Sequence, residues 1–296
     1  MTVQLRNILC AIDFSSFTKP VLDMGMALSR RLCAQLIVFH AVDVPKDGLY
    51  ATDVLERGQN EKKRSAQAAK RIRQLMSDAN IAWKPMICIG SPVDEICRVA
   101  DAGMIDLAIA SSHGLSGVKR ILLGTVVERL ARRLSVPLLV LPRPRPADPG
   151  FELNHNPVVA GCMADGRAEP ALAFAIGLAR LLGKPLHVLH ALESPLDKSM
   201  IGADPGPYSQ VQAALQDNWR RRIDRLARDR AGAFTNIHAT VAAGLPGEAL
   251  VAHAGHVDAD LIVVGRKPCG LMKKWLIGST TENVLRHASS AAVIVP

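Results

Sequence analysis

At 296 residues the chain is long for one compact core and comfortable for two, and with 49% of residues hydrophobic and 21% charged it is not a disordered protein. A net charge of +9 raises nucleic-acid binding as a possibility, yet only 4% of residues are aromatic, which leaves few stacking platforms for single strands. Most of the excess lies in helix-like runs, Lys62-Lys63-Arg64 and Arg220-Arg221-Arg222, where charge reads as a solvated face, so an electrostatic nucleic-acid binder ranks last.

Met1 to Asn7 leads into a short apolar run that ends at Asp13, unlike the unbroken core of a signal peptide. Nowhere does the chain approach the roughly 18 apolar residues of a membrane span, and the expectation is a cytoplasmic protein with no membrane partner. Cys10, Cys33, Cys88, Cys97, Cys162 and Cys269 form no CxxC pair, which argues against a zinc knuckle or disulfide framework and suggests small buried hydrophobes.

A helical stretch follows the first strand, then the continuous apolar run Leu36 to Val42, of the kind buried on both faces of a parallel sheet. A long polar helix leads to Gly90-Ser91-Pro92, with proline where a first helical turn tolerates it. Next come the strand Asp106 to Ala110, a glycine-rich segment from Ser111 to Thr125, a helix and a last strand, Pro137 to Pro142. Alternating prolines from Pro142 to Pro149 favour an extended linker.

The order then repeats, as in an internal duplication. Pro157 to Cys162 matches the first strand and Leu186 to Leu192 the second, His190 aligning with His40 at an offset of 150. Gly244-Leu245-Pro246, Asp260 to Val264 and Ala291 to Pro296 match the later elements at an offset of 154, so a small insertion lies in the middle helix region. The domains are expected at 1–142 and 157–296, joined by a linker over 143–156. Alternating strands and helices predict an α/β protein, two tandem Rossmann-like domains, each a five-stranded parallel sheet sandwiched by helices. Such sheets bind ligands beyond the carboxyl ends of the strands, where the strand order reverses.

The segment from Ser111 through Ser112, His113 and Gly114 to Gly124, Thr125 and Val126 has the parts of a phosphate cradle. Glycines let the backbone approach an anion, and the helix start offers free N–H groups and a hydroxyl. On these residues alone a glycine-rich turn with an ordinary threonine cap is as good a reading, and Asp13 alone reads as a helix cap.

The segment resembles the nucleotide loop of the universal stress protein family, Gly-x2-Gly-x9-Gly-(Ser/Thr), with Gly114, nine residues, then Gly124-Thr125; Ser111 stands where the family has its first glycine. The resemblance implies an adenine nucleotide alpha hydrolase-like fold. It also implies a nucleotide site for ATP, with or without Mg2+, at Ile12, Asp13, Ala41, Val42, Ser111, Ser112, His113, Gly114, Gly124, Thr125 and Val126. Asp13 would contact the adenosine moiety, and Ala41 and Val42 would line the adenine pocket. It further implies that the last strands, Pro137 to Pro142 and Val293 to Pro296, join the two halves as an internal pseudo-dimer; a homodimer of the whole chain is plausible.

The second copy keeps the spacing from Gly265 to Gly278, Ser279 and Thr280 but places Pro268 at the second glycine and Met163 at the position of Asp13. Proline has no N–H to give a phosphate, so this site is expected to be degenerate. Asp165 could substitute for Asp13 in another register, and Arg266, Lys267, Lys273 and Lys274 could still attract an anion.

His253 and His256, three apart on a helix, could meet one metal ion, whereas His187 and His190 on a strand should face opposite sides. No Walker loop or nucleophile elbow is present. No catalytic residue is assigned, and slow ATP hydrolysis is the most the family would imply. Two functions compete: a nucleotide-binding stress-response module, and a pseudo-symmetric scaffold or small-ligand binder acting through protein contacts.

Overall fold

A computed structural model describes residues 3–42, 53–112, 124–143, 153–162, 169–192, 206–266 and 277–296. The chain divides into a unit of residues Gln4–Glu152 and one of Leu153–Pro296, which also takes in Val3.

In the N-terminal unit the apolar runs form strands because both of their faces are covered. β1 (Asn7–Ala11) carries Ile8, Leu9 and Cys10, each fully buried, and β2 (Gln35–Val42) buries Leu36 through Phe39. With β3 (Trp83–Ile89), β4 (Leu107–Ser111) and β5 (Leu138–Leu141) they make a parallel sheet in the order β3-β2-β1-β4-β5. The connections run through α1 (Thr18–Leu32), α2 (Asp53–Leu75), α3 (Pro92–Asp101) and α4 (Thr125–Arg133).

The C-terminal unit repeats this plan. β6 (Val158–Gly161), β7 (Leu186–Leu192), β8 (Ile237–Ala243), β9 (Leu261–Gly265) and β10 (Ala291–Val295) lie parallel in the order β8-β7-β6-β9-β10. They are joined by α5 (Glu169–Leu182), α6 (Gly206–Ala231), α7 (Pro246–His256) and α8 (Ser279–His287). Register is kept as well: Ile8 pairs with Leu36 as Val158 pairs with Leu186. The exit from the third strand is a glycine in both units, Gly90 at φ +129 and Gly244 at φ +116, a backbone that L side chains avoid. The Gly90 N–H donates to Val42 O and the Gly244 N–H to Leu192 O.

One matched position shows how the copies compensate. The Asp106 carboxylate accepts from the N–H groups of Arg6 and Asn7, both at 2.8 Å, and so anchors the entry to β1. In the second copy Pro157 stands where Asn7 does and has no N–H to give. The equivalent Asp260 is instead paired with Lys184, whose ammonium also donates to the carbonyls of Asn154 and Asn156. Both partners are almost wholly buried.

The basic helical runs are largely exposed. On α6 Arg220 and Arg221 pair with Asp217, and Arg228 with Asp224. The cysteines depart from expectation at Cys33. Cys10, Cys97 and Cys162 are buried and Cys88 is half-buried, but Cys33 is exposed as the left-handed cap of α1, at φ 52. Burial with no partner charge pushes the Cys10 thiol well up, which keeps it protonated. Cys269 lies outside the described residues. Among the described residues no helix is long and apolar enough to cross a membrane.

Candidate functional site

In the N-terminal unit β1 lies between β2 and β4, so the chain reverses its direction across the sheet there, and a crevice is expected beyond the carboxyl ends of these strands. A cavity of 310 Å³ lies there. Ile12 and Asp13 form one side of it, His40 and Ala41 another, and Ser111 with Gly124, Thr125 and Val126 a third. Phe17, Val21, Phe39, Pro92, Ile96 and Val127 supply a mostly apolar remainder.

Backbone bonds hold these walls. The Ile12 N–H donates to Phe39 O at 2.9 Å, and His40 Nδ1 donates to Ile12 O, also at 2.9 Å. Asp13 Oδ1 accepts from the Ser15 N–H at 2.9 Å, an Asx turn that bends the chain toward α1. Phe14, next in line, sits at φ 61, an uncommon backbone for an aromatic residue. Its ring packs against His40, with centroids 4.4 Å apart, and under the Arg71 guanidinium at 4.5 Å.

On the opposite wall the Gly124 N–H donates to Ser112 O at 2.8 Å, and the Ser112 N–H to Leu141 O. The two residues that bound segment 113–123 thus meet. Gly124 caps α4, whose first-turn N–H groups have no intrahelical acceptor. Ser91 caps α3 by accepting from the Asp94 N–H. The Arg133 guanidinium, 2.6 Å away, then the Ser91 hydroxyl hold the Asp94 carboxyl below the usual carboxylate range. That pair ties α3 to α4, two of the helices whose starts line the cavity.

Of the sequence-predicted residues, Ile12, Asp13, Ala41, Ser111, Gly124, Thr125 and Val126 line the cavity. Val42 and Ser112 are not among its lining residues. Val42 is buried one position beyond Ala41, and strand alternation sends its side chain to the other face. Ser112 is buried too, both of its backbone groups being taken by Leu141 and Gly124. His113 and Gly114 lie outside the described residues.

The structure adds His40, Pro92, Ile96 and the first turns of α1 to the wall, among them Thr18. Its hydroxyl is buried, with no hydrogen-bond partner among the described residues, an arrangement that costs free energy. Proline after a serine cap was the available signal for α3. Nothing local to Thr18 distinguishes it from any buried helical threonine.

The family model described as "Universal stress protein family" matches residues 4–142 and again residues 158–296. The chain belongs to that family. Universal stress protein MJ0577 of Methanocaldococcus jannaschii is 28% identical over 159 residues, 48% of this chain and 98% of that protein. Universal stress protein Rv2005c of Mycobacterium tuberculosis is 26% identical over 235 residues, 78% of this chain and 74% of that protein. A solved universal stress protein from Archaeoglobus fulgidus shares the fold, with a TM-score of 0.71 at 19% identity, over 98% of this chain and 97% of that one.

The second universal stress protein domain uses its matching positions differently. Gly278 caps α8, which starts with Ser279 and Thr280. The Thr281 hydroxyl donates to Gly265 O at 3.0 Å, tying α8 to the end of β9; the aligned residue in the first copy is Val127, part of the cavity wall. Met163, Asp165, Lys267, Pro268, Lys273 and Lys274 lie outside the described residues. His187 and His190 face opposite sides of β7, His187 meeting His253 of α7 and His190 meeting Trp219 of α6. His253 thus points its ring nitrogen at His187, 3.1 Å away, rather than forming a pair with His256.

Proposed function

We propose that the N-terminal domain binds ATP or a related adenine nucleotide, making the chain a cytoplasmic stress-response regulatory module that works by occupancy and not by catalysis. The observation that carries this reading is the cavity at the switch point, where the Asp13 turn and the start of α4 converge on apolar walls. These features suit a ligand with a flat apolar part, hydroxyl groups and an anionic end. Asp13 and Ala41 would serve the adenosine end, and the backbone of Gly124 with the Thr125 hydroxyl the phosphate end, with or without Mg2+.

For the C-terminal domain we propose the second reading, a degenerate site that acts through protein contacts or another ligand. What favours it is the Thr281 hydroxyl, committed to Gly265 O, together with Met163 in place of Asp13 and Pro268 in place of glycine.

The test is to denature the purified chain, identify any released nucleotide by mass and count it per chain, then titrate the emptied protein with Mg-ATP by calorimetry. About one equivalent of adenine nucleotide per chain is the expected result. No release and no heat of binding would leave the scaffold reading for both domains.

A further inference from the structure

Between the two copies, a pair of buried apolar positions has been exchanged together for histidine. Ile37 of β2 and Val99 of α3 are buried to within 1% in the N-terminal domain. By the strand register and the offset of 154 that relates α3 to α7, their counterparts are His187 and His253. A lone histidine at either place would set a polar ring into a packed helix–sheet contact. Here His187 Nδ1 and His253 Nε2 face each other at 3.1 Å, with ring centroids 5.3 Å apart. A third ring, His238 of β8, lies 5.0 Å from His187 and is held by Asn236. His256 follows one turn after His253 on α7.

We propose that His187 and His253 form a two-histidine site for a borderline transition-metal cation of the Zn2+ class, bridging β7 and α7. Two nitrogens 3.1 Å apart, each at the usual zinc–imidazole distance of about 2.0–2.1 Å, subtend about 100° at the metal, between octahedral and tetrahedral angles. The rings meet nearly head-on, so each must tilt by about 40° to aim both lone pairs at one point. Whichever ring holds the shared proton moves it to its other nitrogen on binding, so the neutral pair releases no net proton. Among the described residues no three His, Cys, Asp or Glu side chains are grouped to hold a metal ion. The cation would therefore keep water in its remaining positions.

Burial, then the neighbouring His253 and His238, push His187 down to about 4, and burial, then His256, lowers His253.

The experiment uses the full chain, stripped with chelator and titrated with Zn2+ at pH 7 by calorimetry, with imidazole NMR to show which rings respond. The control is His187→Ile with His253→Val, which restores the residues that pack the same place in the first copy. The single variant His253→Val serves if the double one does not fold. Expected is one saturable Zn2+ per chain, shifting the His187 and His253 resonances, unchanged in His256→Ala and lost in the control. A titration that never saturates, or one unaltered in the control, overturns the site. Neither outcome bears on nucleotide binding in the other domain.

Discussion

The two domains share strand order, register, the glycine that ends the third strand and the bond from His40 or His190 to the end of the first strand, yet they differ at several places where a side chain meets something other than apolar packing. Asp106 takes two backbone N–H groups and Asp260 a buried ammonium. Ile37 and Val99 pack where His187 and His253 bond. Arg133 and Asp94 link the last two helices of the first copy, whereas in the second a side chain at Gly247 would run into Asn283 of α8. The shared part is the set of strands buried on both faces, where only apolar residues fit. Divergence falls at the entries to strands, as at Asp106 and Asp260, and at one helix–sheet contact, that of His187 with His253.

The comparison breaks most visibly at the buried pair. Lys184→Ala leaves Asp260 buried without its cation and should cost about 3–5 kcal/mol, against about 1–3 kcal/mol for Asp106→Ala in the first copy, which loses only hydrogen bonds. Denaturant unfolding followed separately in each half by hydrogen exchange measures both. Equal losses would mean that the two carboxylates do the same job.

Next is the nucleotide site. Gly124 has φ −59 and ψ 137, which valine tolerates, so Gly124→Val should weaken Mg-ATP binding by more than about 100-fold without unfolding the domain. Gly278→Val should leave the nucleotide stoichiometry unchanged. Full binding in the Gly124 variant would show that α4 does not face the ligand.

Acid provides a smaller contrast. Burial and the neighbouring histidines push His187 down to about 4 from the ordinary imidazole value of about 6.5, so between these values the unfolded chain binds the proton that the folded chain refuses. The C-terminal domain should hold its full stability above pH 6.5 and lose part of it as pH falls toward 4, solvent screening at a half-buried ring limiting the loss. Hydrogen exchange at pH 7 and pH 5 reads each domain, and the His187→Ile, His253→Val variant should flatten the profile. An equal loss in both domains would remove histidine as the cause.

The smallest effect is at the helix caps. Ser91 caps α3, whereas Leu245, exposed at the start of α7, has no side-chain cap. Leu245→Ser should stabilise the second domain by about 1 kcal/mol, and Ser91→Ala should cost the first a similar amount. Thermal melts of the two variants read both changes, and a Leu245→Ser melt below wild type would show that the leucine packs usefully.

How much of this was legible in advance differs by level. The apolar runs around Ile8, Leu36 and Ile109 and their repetition at Val158, Leu186 and Val263 specify the strands, because a strand covered on both faces admits little else. The spacing around Gly124 pointed to one wall of the cavity and Asp13 to the facing one. Val42 and Ser112 fall outside the cavity lining, because nearness along the chain does not say which way a side chain turns.

The sequence by itself thus determined the duplication, the α/β class and the place along the chain where a site should form, since these follow from periodicity and from glycine and proline chemistry. Only the tertiary structure decided that Thr18 lies in the cavity wall, that Lys184 stands in for the missing N–H of Pro157, and that His187 meets His253. Each joins residues from different elements, and which of them touch depends on how a helix lies on its sheet, which no local pattern encodes.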